Sequence, residues 1–201
     1  MTTSRWSIKA AAPWVILAGG LLMAALWLVY TWLHGPTTYQ EDNEFLGRDV
    51  HFWGMLLGVV PNSLLAAGLI ALRDRLATPS TLAAAGHGLL CAALVVPAVL
   101  DVAVQAINAP FFLPVQAVGA VLLAAGLRPR PDHSTVRTSL LVLGGLLGAG
   151  MIVAFVPQDL ADSIGGFRIF GAFAYFLAGL AWSRVGHVLH GELPRTLDGV
   201  P

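Results

Sequence analysis

Apolar residues run along this chain in six long stretches, at residues 13–33, 50–72, 81–106, 110–127, 136–156 and 165–189, with short polar joints between them. A run of about 18 or more apolar residues marks a helix that can cross a bilayer. In lipid every backbone donor and acceptor must find an internal partner, so spans are helices or closed barrels. Barrel strands alternate with a period of two, and "LLVLGGLLGAGMIVAF" at residues 140–155 does not. The pattern predicts an all-α integral membrane protein, a single six-transmembrane-helix bundle over residues 1–201. The joints leave no room for a soluble domain.

Charge gives the bundle a direction. With the N-terminus assigned to the cytoplasm, Arg5, Lys9, Arg73, Arg75, Arg128, Arg130, Arg137, Arg184 and Arg195 fall inside, and only Arg48 and Arg168 fall outside. Short loops rich in Arg and Lys stay cytoplasmic, which predicts both termini inside. The first apolar run is too long for a signal peptide and no small-x-small cleavage site precedes His34, so it reads as a retained anchor.

Composition narrows the function. The chain is 57% hydrophobic and 11% charged with no net charge, and its mean hydropathy is +0.76. There is no basic face for a nucleic acid. One cysteine, Cys91, leaves no disulfide framework. The motifs of nucleotide binding, zinc or serine hydrolysis and dinucleotide binding are missing, as is a DDxxD pair for magnesium and a diphosphate. No cofactor and no metal site is expected, His133, His187 and His190 being too loosely placed to make one.

Against that background the polar residues stand out. "TYQEDNEFLGRDVHFWG", residues 38–54, holds four acids. Asp42 or Asn43 is expected to cap the second helix, with Glu44 and Arg48 spaced to pair on one face. Asp49 and His51 have less structural cover, and in a helix Asp49 would share a face with Phe45, Phe52 and Trp53. Thr78, Ser80 or Thr81 is expected to cap the third helix, and Ser134 or Thr135 the fifth. Asp162 reads as the cap of the sixth, with Arg168 one turn further on. His87 reads as a satisfied bundle residue, and Gly144, Gly145, Gly148 and Gly150 as a packing surface.

Pro61, Pro97 and Pro114 each free a carbonyl that a neighbour, a water or a cavity must answer, and Asn62 adjoins the first of them. Asp101 carries the most weight. It lies towards the end of the third span with apolar residues beyond it, and an ionisable group inside a span marks a functional site by default. Gln105 shares its helix face, and Gln116 on the next helix is placed to join it. Aromatics such as Trp27, Trp53, Phe52, Phe111 and Phe170 collect on the outer half, while Tyr175 and Trp182 are assigned to the inner side. An interfacial belt and an aromatic-walled cavity both account for that distribution.

An acid among aromatic rings inside a small helical bundle resembles the integral-membrane terpene cyclases that close prenyl chains on meroterpenoids. The resemblance covers size, helical character and the acid-plus-aromatic layout, and no signature motif carries it. It implies a proton-initiated isoprenoid cyclase independent of metal and ATP, with a hydrophobic small molecule as substrate. Asp101, Asp49 and Glu44 are then the candidate catalytic acids. Trp53, Phe52, His51, Gln105, Gln116, Phe111, Phe170, Arg168 and Asn62 are the candidate binding residues. The Ala-, Leu-, Gly- and Arg-rich composition suits a high-GC bacterial source. Two other readings stay open: the substrate-binding subunit of a vitamin or small-molecule transporter, docked through Gly19, Gly20, Ala24 and Ala25, or an accessory subunit of a membrane complex.

Overall fold

The structure, a computed structural model, describes residues 4–34, 46–78, 80–104, 109–128 and 133–192. Among them there is no β-strand. The long rods are α1 (Ser4–His34), α2 (Val50–Ala71), α4 (Thr81–Val104), α5 (Leu113–Gly126) and α6 (Ser134–Ala154). The last rod is composite: α8 (Gly166–Gly171) runs through a π-helical turn (Ala172–Leu177) into α9 (Ala178–Gly191). Short helices α3 (Arg73–Leu76) and α7 (Gln158–Ser163) and a 3₁₀ turn (Ala109–Phe112) complete the described elements.

Four helices are long and apolar enough to cross a bilayer: Ile8–Thr31, Thr81–Val104, Ser134–Ala154 and Gly166–Gly191. Met55–Ala71 and Pro110–Gly126 are apolar but shorter. The rods form a ring in chain order. α1 packs on α2, α2 on α4, α4 on α5, α5 on α6, and α6 on the composite rod, which closes back onto α1. Large apolar side chains including Leu21, Val99, Val121 and Ile152 face outward, far more than water tolerates on one surface.

Two seams bring backbones close. Between α4 and α5, a Cβ on Gly86 would land on the Leu123 backbone, and one on Gly126 would land on Ala83. Between α1 and α9, Gly20, Gly179 and Gly186 likewise leave no space for a side chain, and Ser183 Oγ donates to the Gly179 carbonyl at 2.9 Å and lies 3.3 Å from the Leu17 carbonyl. Small residues are how helices approach closely in lipid. In α6 only Gly144 and Gly150 serve this way, against Val121 and Ala174, while Gly145 and Gly148 meet nothing within 4 Å. Gly19 packs on Leu64 and Leu65, and Gly20 and Ala24 on α9, so most of the small-residue patch in the first helix faces inward rather than a partner.

The end of the bundle that carries Ser4 and Glu192 is held by polar contacts. Arg75 donates to the Leu189 and Glu192 carbonyls at 3.2 and 2.8 Å, which answers the free carbonyls at the end of α9. The Glu192 carboxylate meets His133 Nδ1 at 2.7 Å and Arg75 at 3.4 Å. Lys9 meets Asp74 at 2.6 Å. That hydrogen bond holds the Asp74 carboxyl below its ordinary value, although the pair is solvent-exposed and weak.

Several boundaries differ from the sequence pattern. The first helix begins at Ser4, not at residue 13, because a proline is tolerated where neighbouring helices re-satisfy the backbone. α4 starts as expected at Ser80, whose Oγ accepts from Ala83 N at 3.1 Å and also donates to the Gly126 carbonyl at 3.0 Å. His133, not Ser134 or Thr135, occupies the cap position of α6. Asp162 lies inside α7, and Gly165, with φ 69°, precedes α8 in its place. Pro114 sits in the first turn of α5, where no helical acceptor awaits its missing N–H.

The seams predict a contrast between glycines. Gly86→Ala is expected to destabilise the protein by about 1–3 kcal/mol through overpacking. Gly148→Ala should leave stability unchanged or raise it by up to about 1 kcal/mol. Thermal unfolding of the detergent-solubilised protein measures both.

Candidate functional site

Among the described residues, the one acid that is fully enclosed lies in the half of the ring away from Ser4 and Glu192. Asp101 projects from the last turns of α4 and is 0% exposed. Its carboxyl reaches α2, where a Cβ on Gly58 would collide with Asp101 Oδ2. The missing side chain at residue 58 is what admits the carboxyl between the two helices. Asn62 stands four residues further along α2 and so on the same face. It is 2% exposed.

The opposing wall comes from the composite rod. Tyr175, in the π turn, is buried and lies within electrostatic reach of Asp101. Its ring stacks on Trp27 with centroids 3.7 Å apart and planes 4° from parallel, and Phe170 meets it edge-on at 5.6 Å. Trp27 also meets Tyr30 edge-on at 5.6 Å, and Tyr30 in turn meets Phe167 at 6.1 Å. Aromatic pairs favour such offset and T-shaped contacts.

The π turn has a steric cause. Gly171 faces Thr31 and Trp27, Tyr175 stacks on Trp27, Gly179 faces Gly20 and Ala24, and Ser183 faces Gly20. All four meet α1 at intervals of four residues. In a regular α-helix each four-residue step overshoots a turn by about 40°. The wider i→i+5 turn absorbs that overshoot and keeps Tyr175 aimed at Trp27.

Trp27 Nε1 and Tyr175 Oη in this wall have no hydrogen-bond partner among the described residues, and neither do Asn62 Oδ1 on α2 or Trp182 Nε1 and His190 Nδ1 on α9. Buried polar atoms in that condition are uncommon in folded proteins. Trp27 Nε1 and Tyr175 Oη can donate to a bound oxygen, and Asn62 Oδ1 can accept from a hydroxyl.

The other candidate residues do not all converge here. Asp49 is exposed at the start of α2, where its carboxylate accepts from Phe52 N at 2.7 Å. It is the helix cap expected of Asp42 or Asn43, and the helical face that would have joined it to Phe52 and Trp53 does not form because the helix begins one residue later. Glu44 and Gln105 lie outside the described residues, as does the side chain of His51. Phe52 lies under the Arg48 guanidinium at 5.1 Å and edge-on to Trp53 at 5.4 Å. Trp53 packs partly buried against the core. Phe111 is 78% exposed on the outer surface rather than lining an interior wall, because it falls on the 3₁₀ turn before α5. Arg168 is exposed on α8.

Gln116 is buried, yet it has a backbone task. Its Nε2 donates to the Ala93 carbonyl at 3.2 Å. Ala93 is four residues before Pro97, which has no N–H to offer that carbonyl. His87 acts similarly, donating from Nε2 to the Leu69 carbonyl near the end of α2 at 2.9 Å. Tyr175 is the residue that the sequence pattern misplaces, since it belongs beside Trp27 and Asp101 and not on the opposite side. Among the described residues no three of His, Cys, Asp and Glu come together to hold a metal ion.

A double-mutant cycle tests the Gln116 assignment. Gln116→Leu should cost about 1–3 kcal/mol by leaving the Ala93 carbonyl buried and unanswered. On a Pro97→Ala background, where residue 97 regains its N–H, most of that cost should vanish, read as the coupling in thermal unfolding. Equal costs on both backgrounds would show that Gln116 acts elsewhere.

Compared with known proteins, the chain matches no family, no curated protein and no solved structure.

Proposed function

We propose that this chain is a six-span membrane protein with both termini in the cytoplasm, whose outer half carries an acid-initiated isoprenoid cyclisation site. The observation that carries the reading is Asp101: a carboxyl wholly enclosed within the bundle and seated in the gap left by Gly58, in the half of the ring that also holds the stacked Trp27 and Tyr175. An ionisable group at such a depth marks function, and the aromatic wall is the complement that carbocation chemistry needs.

In this reaction Asp101 transfers its proton to the terminal alkene carbon, or to the epoxide oxygen, of a prenylated substrate. The resulting tertiary cation is attacked by the next double bond, forming the ring. The faces of Tyr175, Trp27 and Phe170 stabilise the positive charge as it moves along the chain. The Asp101 carboxylate then recovers a proton from the final cation, so the product is an isomer of the substrate and no co-reactant is consumed. Exclusion of water keeps the cation from being quenched. Asn62, Trp27 Nε1 and Tyr175 Oη supply hydrogen bonds to the oxygen-bearing head of the substrate.

Two experiments test the proposal. Membranes containing the protein, incubated with prenylated quinols and their terminal epoxides, are expected to yield a product of unchanged mass and altered retention. Asp101→Asn should slow this by about 100-fold or more, while Tyr175→Phe, which keeps the ring and loses the hydroxyl, should slow it less. An Asp101→Asn protein that folds and cyclises normally removes the acid from the mechanism.

For topology, single cysteines replacing Leu46 and Arg128 in a Cys91→Ser background separate the two ends. A membrane-impermeant maleimide applied to intact cells should label the residue 46 variant and spare the residue 128 variant. The reverse pattern would invert the orientation.

A further inference from the structure

On the outside of the ring, between α6 and α9, lies an open groove of about 550 Å³. It is remote from Asp101 and belongs to no part of the proposed reaction. Its polarity changes along its length. Thr135, Ser139 and Arg184 line the end nearest Ser4 and Glu192, whereas Val142, Leu146 and Leu180 line the part towards the middle of the bundle. From Thr135 to Leu146 is eleven residues, about 16 Å of helix. That is close to one leaflet, half of a hydrocarbon core about 30 Å thick.

The polar end carries one uncommitted cation. Arg184 is exposed and makes no ion pair or hydrogen bond among the described residues. Among the described residues the acids at this end are engaged elsewhere, Asp74 with Lys9 and Glu192 with His133 and Arg75. Ser139 and its neighbour Thr138 turn their hydroxyl protons back to the Thr135 and Ser134 carbonyls, which leaves their lone pairs facing outward. Thr135 retains a free hydroxyl.

We infer that this groove binds an anionic phospholipid of the surrounding leaflet. The phosphate pairs with the Arg184 guanidinium and the Thr135 hydroxyl, headgroup hydroxyls donate to Thr138 and Ser139, and an acyl chain lies along Val142, Leu146 and Leu180. The order of guanidinium, hydroxyls and hydrocarbon along the groove is the order of charge, glycerol and tail within one lipid molecule. Basic pockets between membrane helices recognise anionic headgroups in this way.

The test is native mass spectrometry of the purified, delipidated full chain in micelles doped with phosphatidylglycerol, phosphatidylcholine or inorganic phosphate. Phosphatidylglycerol is expected to form the more persistent adduct, and inorganic phosphate none. Arg184→Gln should weaken the phosphatidylglycerol adduct about fivefold, the worth of one cation near the membrane surface, and leave phosphatidylcholine unchanged. Leu180→Trp, which fills the apolar part, should weaken both lipids. Three results would each overturn the inference: equal retention of the two lipids by the unaltered protein, phosphate binding as firm as that of phosphatidylglycerol, or an Arg184→Gln protein that keeps its full preference.

Discussion

The ring depends on how closely its first and last rods approach. Gly20, Gly179 and Gly186 leave no space for a side chain at the α1–α9 seam, and Ser183 adds hydrogen bonding where the backbones meet. Lipid tails are as apolar as leucine, so no hydrophobic force draws the rods together, and close van der Waals packing must do so. The π turn lies within this seam, and Tyr175 on it stacks on Trp27 of α1. The seam thereby brings Tyr175 onto Trp27, and Phe170 meets Tyr175 edge-on to complete the wall.

Most buried polar side chains in this apolar bundle answer the backbone. Gln116 meets the carbonyl released by Pro97, His87 meets a carbonyl near the end of α2, and Thr31 donates to the Trp27 carbonyl at 2.7 Å. The first answers a backbone group that a proline has freed, as a membrane interior demands, and the other two add a second donor to carbonyls within or at the end of a helix. Among the described residues Trp27 Nε1, Tyr175 Oη, Asn62 Oδ1, Trp182 Nε1 and His190 Nδ1 have no such task, and Asp101 stands apart as a carboxyl with no exposure at all. The functional proposal rests on that enclosure and on the gap at Gly58 that admits the carboxyl.

The apolar runs were legible because hydropathy and length act over twenty residues at a time. All six correspond to helical rods, four of them long enough to cross a bilayer unaided. Asp101 was legible for a local reason: an acid followed by further apolar residues has no surface to reach. Tyr175 was not, since its position depends on an extra-wide turn that only the packing against α1 calls for. Asp49 was misread because a carboxylate three residues ahead of a helical N–H is as good a cap as a more distant acid, and nothing in the local pattern ranks them. Gln116 and Pro97 lie on different helices, so their pairing emerges only once α4 and α5 are side by side.

The closure of the ring also sets the order in which the protein can be made. Each of the first five rods meets its sequence neighbour as it leaves the ribosome, but the Ser183–Leu17 contact joins residues 166 apart. Until the last rod is released into the membrane, the face of α1 that carries Trp27 has only lipid to touch. The stacked pair of Trp27 and Tyr175 is thus completed only when the two ends of the chain meet.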